Sequence, residues 1–295
     1  MYYQVAKLCL SRIFRPLGST TCLLDVQVSV LENFASTPAI DHLILFQELE
    51  LHDTMVLGLQ DSGCGFTSNV SWLHNDASNL CFKAWNRLSE YYNIGGISID
   101  LIKNIPAGSG LGGGSSNAAD VLNFFNSKMR LKLNKDEIKK IAYKVGFDTP
   151  ISLEKKNTLL TGKKGEILRL NQKFRLNILI VYPNVICSTK KIYANNKKFT
   201  FSRPQSNFFI KDKNKLIDFL KNENNDLEKT TIKFYPKVRK IINFIKSQNG
   251  CYFSRITGSG SACIGIFSNM KSAIFAQKFM KLKFPNYWCV VSKTM

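Results

Sequence analysis

The segment that most constrains this chain is Pro106-Ala107-Gly108-Ser109-Gly110-Leu111-Gly112-Gly113-Gly114-Ser115-Ser116-Asn117, which carries five glycines. Before it, Ile97-Ser98-Ile99-Asp100-Leu101 alternates apolar and polar residues as a half-buried strand does. After it, Ser115–Asn126 sets Ala118, Ala119, Val121, Leu122 and Phe125 where a helix packs closely at its start. The order is strand, glycine loop, helix. Glycine admits positive φ and lacks the Cβ that holds a backbone away from a ligand. The first amides of the next helix have no internal acceptors and sit at the positive end of its dipole. Backbone of this kind suits a phosphate. A merely flexible turn would need neither the strand nor the paired hydroxyls Ser115 and Ser116. The segment is neither a Gly-x-x-x-x-Gly-Lys-Ser/Thr loop nor the Gly-x-Gly-x-x-Gly turn of a parallel βαβ unit, so the commonest nucleotide motifs do not account for it.

Elsewhere the periodicities predict an α+β chain. Leu43–Glu50 and Met55–Leu57 suggest strands parted by a polar turn at His52-Asp53-Thr54. Asn79–Tyr91 is predicted helical from the spacing of Leu80, Ala84 and Leu88. Asn134 and Glu137 form a capping pair for a helix through Ile138, Ile141, Ala142 and Val145 that stops at Gly146. Asp148 therefore falls just past a helix end. A hairpin is expected over Leu159–Leu170, then a strand at Leu176–Tyr182. Further helices are expected near 213–221, 236–248 and 270–281, with strands at Tyr252–Ile256, Ala262–Phe267 and Trp288–Val291. A seam near 165–175 divides the chain into modules 1–168 and 169–295. Residues 11–40 show no sustained period.

The 41 Lys and Arg against 21 Asp and Glu leave a net charge of +20, which favours anionic partners. Lysines mixed with asparagines, as in Asn195-Asn196-Lys197-Lys198, read as a solvated face. Aromatics are not interleaved with the basic residues, so no nucleic-acid partner is expected. The eight cysteines include no Cys-x-x-Cys pair, which argues against zinc and fits reduced core residues in a cytoplasm. No run approaches the ~20 apolar residues of a spanning helix, so membrane insertion is not expected. A monomer or weak homodimer is the expected state.

The glycine segment resembles the Pro-x-Gly-x-Gly-Leu-Gly-Gly-Gly-Ser-Ser-Asn-Ala-Ala signature of the GHMP kinases. That resemblance implies a two-domain α+β fold, with an N-terminal ribosomal-protein-like α/β domain and a C-terminal ferredoxin-like domain. It also implies an ATP-dependent, Mg-requiring small-molecule kinase of the bacterial cytoplasm. The tripled glycine before Ser-Ser-Asn points to a branch whose acceptor is a cytidyl-erythritol. By resemblance, Pro106 through Asn117 hold the ATP phosphates, Ser115 lies near Mg, and Asn79 and Lys103 bond the adenine. Taken alone, Asn79 reads as a helix cap and Lys103 as a surface lysine.

Gly146-Phe147-Asp148-Thr149-Pro150 resembles the family's Gly-x-Asp-x-Pro, whose aspartate faces the acceptor hydroxyl. Val5-Ala6-Lys7-Leu8-Cys9-Leu10 resembles its Pro-Ala-Lys-x-Asn-Leu strand, making Lys7 the partner of Asp148. Pro183 to Tyr193 resembles an acceptor-site strand, with Thr189 and Tyr193 against the cytidine portion. Thr257-Gly258-Ser259-Gly260-Ser261 matches a second glycine loop facing the active cleft, and Asn225-Asp226-Leu227-Glu228 a structural marker. One family feature is missing: residues 11–41 contain no Gly-Tyr-His acceptor segment. Another alcohol acceptor, or a relative that binds nucleotide without turning it over, remain the alternatives.

Overall fold

In the computed structural model the described residues are 21–33, 43–73, 75–128, 131–161, 166–171, 174–197 and 212–295. The elements are β1 (Thr21–Asn33), β2 (Leu43–Gln60), β3 (Cys64–Ser68), α1 (Leu80–Ser89), β4 (Gly96–Ile102), α2 (Gly113–Lys128), α3 (Lys135–Val145), α4 (Thr149–Ser152), β5 (Thr158–Thr161) and β6 (Glu166–Arg169). There follow β7 (Asn177–Tyr182), α5 (Thr189–Asn195), α6 (Lys213–Asn222), α7 (Glu228–Phe234), α8 (Lys237–Lys246), β8 (Cys251–Ile256), β9 (Cys263–Phe267), α9 (Met270–Lys283) and β10 (Trp288–Lys293). Backbone proximity separates two compact units that are not collinear with the sequence. The first gathers His52–Asn104 and Gly114–Leu153; the second gathers Ile105–Gly113 and Glu154–Met295 with the strand residues that end at Leu51.

In the first unit β4 pairs antiparallel with β2, from Thr54↔Ile102 to Gln60↔Gly96, and parallel with β3. The alternation read in Ile97–Leu101 is real: Ile97, Ile99 and Leu101 face inward. They pack with Met55 and Leu57 of β2, Ala84 and Leu88 of α1, Val121, Leu122 and Phe125 of α2, and Ile141 of α3. The start of α3 carries the expected capping box, with the Asn134 side chain accepting from Glu137 N and the Glu137 carboxylate accepting from Asn134 N. The polar turn expected at His52-Asp53-Thr54 is not there. β2 runs unbroken through it for 18 residues. Asp53 holds a core-facing position, in phase with Leu49, Met55 and Leu57, because its carboxylate finds partners far along the chain.

In the second unit, Leu43 to Phe46 of β2 pair with β5, and β5 with β6. A separate antiparallel sheet has the order β10-β7-β9-β8. β7 is buried on both faces: Ile178, Ile180 and Tyr182 enter one core with Leu216 and Leu220 of α6, while Leu179 and Val181 enter another with α8 and α9. On α8 the residues Val238, Ile241, Ile242 and Ile245 are buried, each contributing ~1.5–3 kcal/mol relative to exposure. The acceptor-site strand expected from Pro183 to Tyr193 is instead a loop and then α5, whose start Ser188 caps by accepting from Lys191 N. Ser, Thr and Asn favour such local side-chain bonds over a sheet ladder, and here the cap wins.

A β-carbon added at Gly265, in the middle of β9, would lie 2.2 Å from Ile245 Cγ2 of α8. Gly265→Ala is expected to push α8 off the sheet and lower stability by about 1–3 kcal/mol, measurable as a reduced midpoint in urea unfolding.

Candidate active site

Three backbone segments of the second unit come together around the glycine signature. Gly108, Gly110 and Gly112 take φ of +72°, +83° and +74°, and no positive φ occurs at Ser109 or Leu111 between them. Such alternation is the nest conformation that turns successive N–H groups toward an anion. The side chains of Ile105 and Leu111 are buried in the apolar core of this unit and anchor the loop on either side of its apex. Gly113, directly after Gly112, opens α2.

The second glycine loop joins β8 to β9 and lies against the first. Ala262 N donates to Ser109 O at 3.1 Å. A β-carbon at Gly110 would lie only 2.7 Å from Gly260 O. The second loop is held from behind. Asn225 Nδ2 donates to Gly258 O at 2.9 Å and to Ile256 O at 3.3 Å, Thr231 Oγ1 to Ser259 O at 3.1 Å, and Ile256 N to Glu228 Oε2 at 3.0 Å. The Asn225-Asp226-Leu227-Glu228 motif is thus a brace for this loop. Thr189 and Ser259 share a hydroxyl–hydroxyl hydrogen bond of 2.9 Å, so two of the predicted acceptor residues meet. Tyr193, one turn further along α5, packs partly against the core of α8 and α9.

In the first unit the predicted adenine residues have structural partners. Asn79 caps α1, its side chain accepting from Cys81 N at 2.9 Å. Lys103 is not the surface lysine its residue type alone suggests: its side chain is 4% exposed and its ammonium pairs with the fully buried carboxylate of Asp53. Asp53 Oδ1 also accepts from Asn104 N at 2.9 Å, and Asn69 Oδ1 accepts from Lys103 N at 2.8 Å. Asp53 escaped the sequence reading. The usable signal was the unbroken alternation of Leu49, Asp53, Met55 and Leu57, which puts an acid on the buried face.

Ser115 lies half-buried in the first turn of α2. Ser116 and Asn117 are buried, and Ser116 Oγ bonds Ser152 Oγ at 3.3 Å. Asp148 is half-buried at the start of α4, and its carboxylate makes no capping bond there. Desolvation pushes its pKa up to about 6. Next to it, Thr149 is fully buried and its hydroxyl has no hydrogen-bond partner among the described residues. Lys7 lies outside the described residues. Among the described residues no group of three or more His, Cys, Asp or Glu gathers to hold a metal, and no helix is long and apolar enough to cross a membrane.

The sequence profile of the GHMP kinases N terminal domain matches residues 79–155, and that of the GHMP kinases C terminal matches 210–286. The fold is similar to a crystal structure of 4-(cytidine 5'-diphospho)-2C-methyl-D-erythritol kinase, with a TM-score of 0.70 at 22% identity over 92% of this chain and 99% of the other. A homoserine kinase from Cytophaga hutchinsonii gives a TM-score of 0.66 at 16% identity over 97% of each. Fold and paired glycine loops together define a kinase of the GHMP class, built from the two domains that name it. The 4-diphosphocytidyl-2-C-methyl-D-erythritol kinase of Pelagibacter ubique (strain HTCC1062) is 35% identical over 265 residues, covering 87% of this chain and 90% of that protein. The enzyme of the same name from Chlorobium phaeobacteroides (strain BS1) is 35% identical over 246 residues, covering 82% and 85%. The chain belongs to this family of 4-diphosphocytidyl-2-C-methyl-D-erythritol kinases.

Removing one member of a buried ion pair leaves the other uncompensated. Asp53→Ala is expected to cost about 3–5 kcal/mol of stability, whereas Asp53→Leu with Lys103→Met should recover most of it, both read from urea unfolding.

Proposed function

We propose that this chain transfers the γ-phosphoryl group of ATP to the 2-hydroxyl of 4-diphosphocytidyl-2-C-methyl-D-erythritol, releasing ADP and the 2-phosphate, a step of non-mevalonate isoprenoid precursor synthesis. The observation that carries this reading is the pairing of the two glycine loops. The alternating φ of Gly108, Gly110 and Gly112 supports a preorganised row of backbone donors for a triphosphate, which is worth most where charge develops in transfer. ATP enters as its magnesium complex. A hard cation of this kind needs few protein ligands, and the Ser115 hydroxyl would be one of them. Asn79 and Lys103 flank the adenine, with the buried Asp53 fixing the lysine in place.

Asp148 accepts the proton of the acceptor hydroxyl, and Lys7 steadies the carboxylate and the charge that builds on the transferred group. A pKa near 6 suits this task, being close to neutrality yet ionised at pH 7. Thr189 and Tyr193, with Gly258, Ser259 and Gly260, receive the cytidine portion of the acceptor. Modules 1–168 and 169–295 and a cytoplasmic location belong to the same proposal. The missing Gly-Tyr-His segment keeps a different small alcohol, or nucleotide binding without turnover, as the competing readings. Incubation with Mg-ATP and the cytidyl-erythritol, followed by mass spectrometry, separates all three. A product heavier by one phosphoryl group supports the proposal; phosphorylation of another alcohol only, or ATP bound but not consumed, would overturn it.

Asp148→Asn is expected to lower kcat by ~10²–10⁴-fold with Mg-ATP affinity retained. Wild-type activity should fall as pH drops through about 6. Stability moves the other way. The folded carboxyl holds its proton more tightly than the unfolded one, so the folded state loses stability as pH rises from the ordinary carboxylate range to about 6. Asn removes that loss, and the variant should melt above the wild type at pH 7. Unchanged turnover would exclude Asp148 as the base.

A further inference from the structure

The second unit contains a cleft of about 1100 Å³ lined from α6, α7, α8 and β8, and no residue of either glycine loop lines it. Its cations are Lys197, Lys221, Lys229, Lys233, Lys246 and Arg255; its carboxylates are Glu223, Asp226 and Glu228. Glu228 already spends Oε2 on Ile256 N. The lysines are exposed, and alone they would be an ordinary solvated face. Arg255 is different. It is 5% exposed, its guanidinium lies 4.2 Å from the Phe253 ring centroid, and Nη2 donates to Leu220 O. Its buried Nη1 has no hydrogen-bond partner among the described residues, while Glu223 and Glu228 interact with its charge. Buried guanidinium donors are rarely left unmet, because the group loses water and gains nothing.

We propose that this cleft binds an oxyanion, the phosphate or diphosphate group of a small molecule, at a site separate from the nucleotide loop. Arg255 Nη1 donates to one anion oxygen, with the guanidinium held flat by Phe253 and Leu220 O so that little side-chain freedom is lost on binding. The lysines around the mouth neutralise the remaining charge. Six cations against three carboxylates match a multiply charged phosphoryl group better than a single carboxylate. The volume leaves room for an attached organic portion.

The test is calorimetric titration of the full chain, already saturated with Mg-ADP so that the glycine loop is filled. Inorganic phosphate, inorganic diphosphate and cytidine diphosphate are added in separate arms. At least one anion is expected to bind with one further equivalent. The Lys221→Glu, Lys246→Glu double variant should weaken that event at least about tenfold while Mg-ADP affinity stays as in the wild type, in keeping with the strength of charge-assisted hydrogen bonds. Arg255→Lys keeps the charge but loses the planar fork and should weaken it as well, with its melting temperature checked against the lysine variant for folding. Preference for inorganic diphosphate points to a free anion, and preference for the cytidine compound to a nucleoside-linked one; either supports the site where the lysine variant weakens it, because the acceptor loops would take cytidine diphosphate independently of those lysines. No heat beyond the nucleotide event in any arm, or an affinity untouched by the lysine variant, overturns it.

Discussion

At Gly110 two backbones approach so closely that a β-carbon would sit 2.7 Å from Gly260 O and 3.1 Å from Thr257 O. Only glycine, with its positive φ, meets both demands. The first glycine loop is therefore not an independent flexible turn but one side of a double loop. Its partner is tied by Asn225, Thr231 and Glu228 to the start of α7, and its own flanks are sunk into the core by Ile105 and Leu111. Rigidity of this kind is what electrostatic catalysis requires, since donors that must reorganise during transfer stabilise it less.

Charge is placed by the same logic elsewhere. The Asp53–Lys103 pair is buried and reinforced by backbone donors, so each ion satisfies the other where water cannot. Burial lifts the pKa of Asp148 to about 6, toward neutrality. A structural acid and a candidate base are thus set apart by environment rather than by residue type. Among the described residues, Arg255 is a buried cation whose Nη1 lacks a hydrogen-bond partner.

Local signals carried much of this into the sequence. The α3 cap was legible because Asn134 and Glu137 are three residues apart and bond each other. The stripe on α8 was legible because Val238, Ile241, Ile242 and Ile245 share a face. The glycine signature gave both the strand–loop–helix order and the family. What escaped depends on distant partners. Asp53 looked like a turn residue because Lys103 lies 50 positions away, and without that cation a buried acid in mid-strand is implausible. The segment after Pro183 looked like a strand because the helix α5 is fixed by the Ser188 cap and by Thr189 meeting Ser259, a contact across 70 residues. Arg255 gave no signal, since alternation in Cys251–Ile256 does not reveal which donor goes unmet.

The central claim is that backbone donors of the paired loops hold the triphosphate, and equilibrium titration with Mg-ATP tests it most directly when the wild type is compared with Gly110→Ala. The account predicts saturable binding by the wild type. For the variant it predicts affinity lower by at least about tenfold, because the added Cβ forces the loops apart and strains a positive-φ position by about 1–3 kcal/mol. A folded wild type with no affinity for Mg-ATP, or a folded variant that binds as tightly as the wild type, would contradict it.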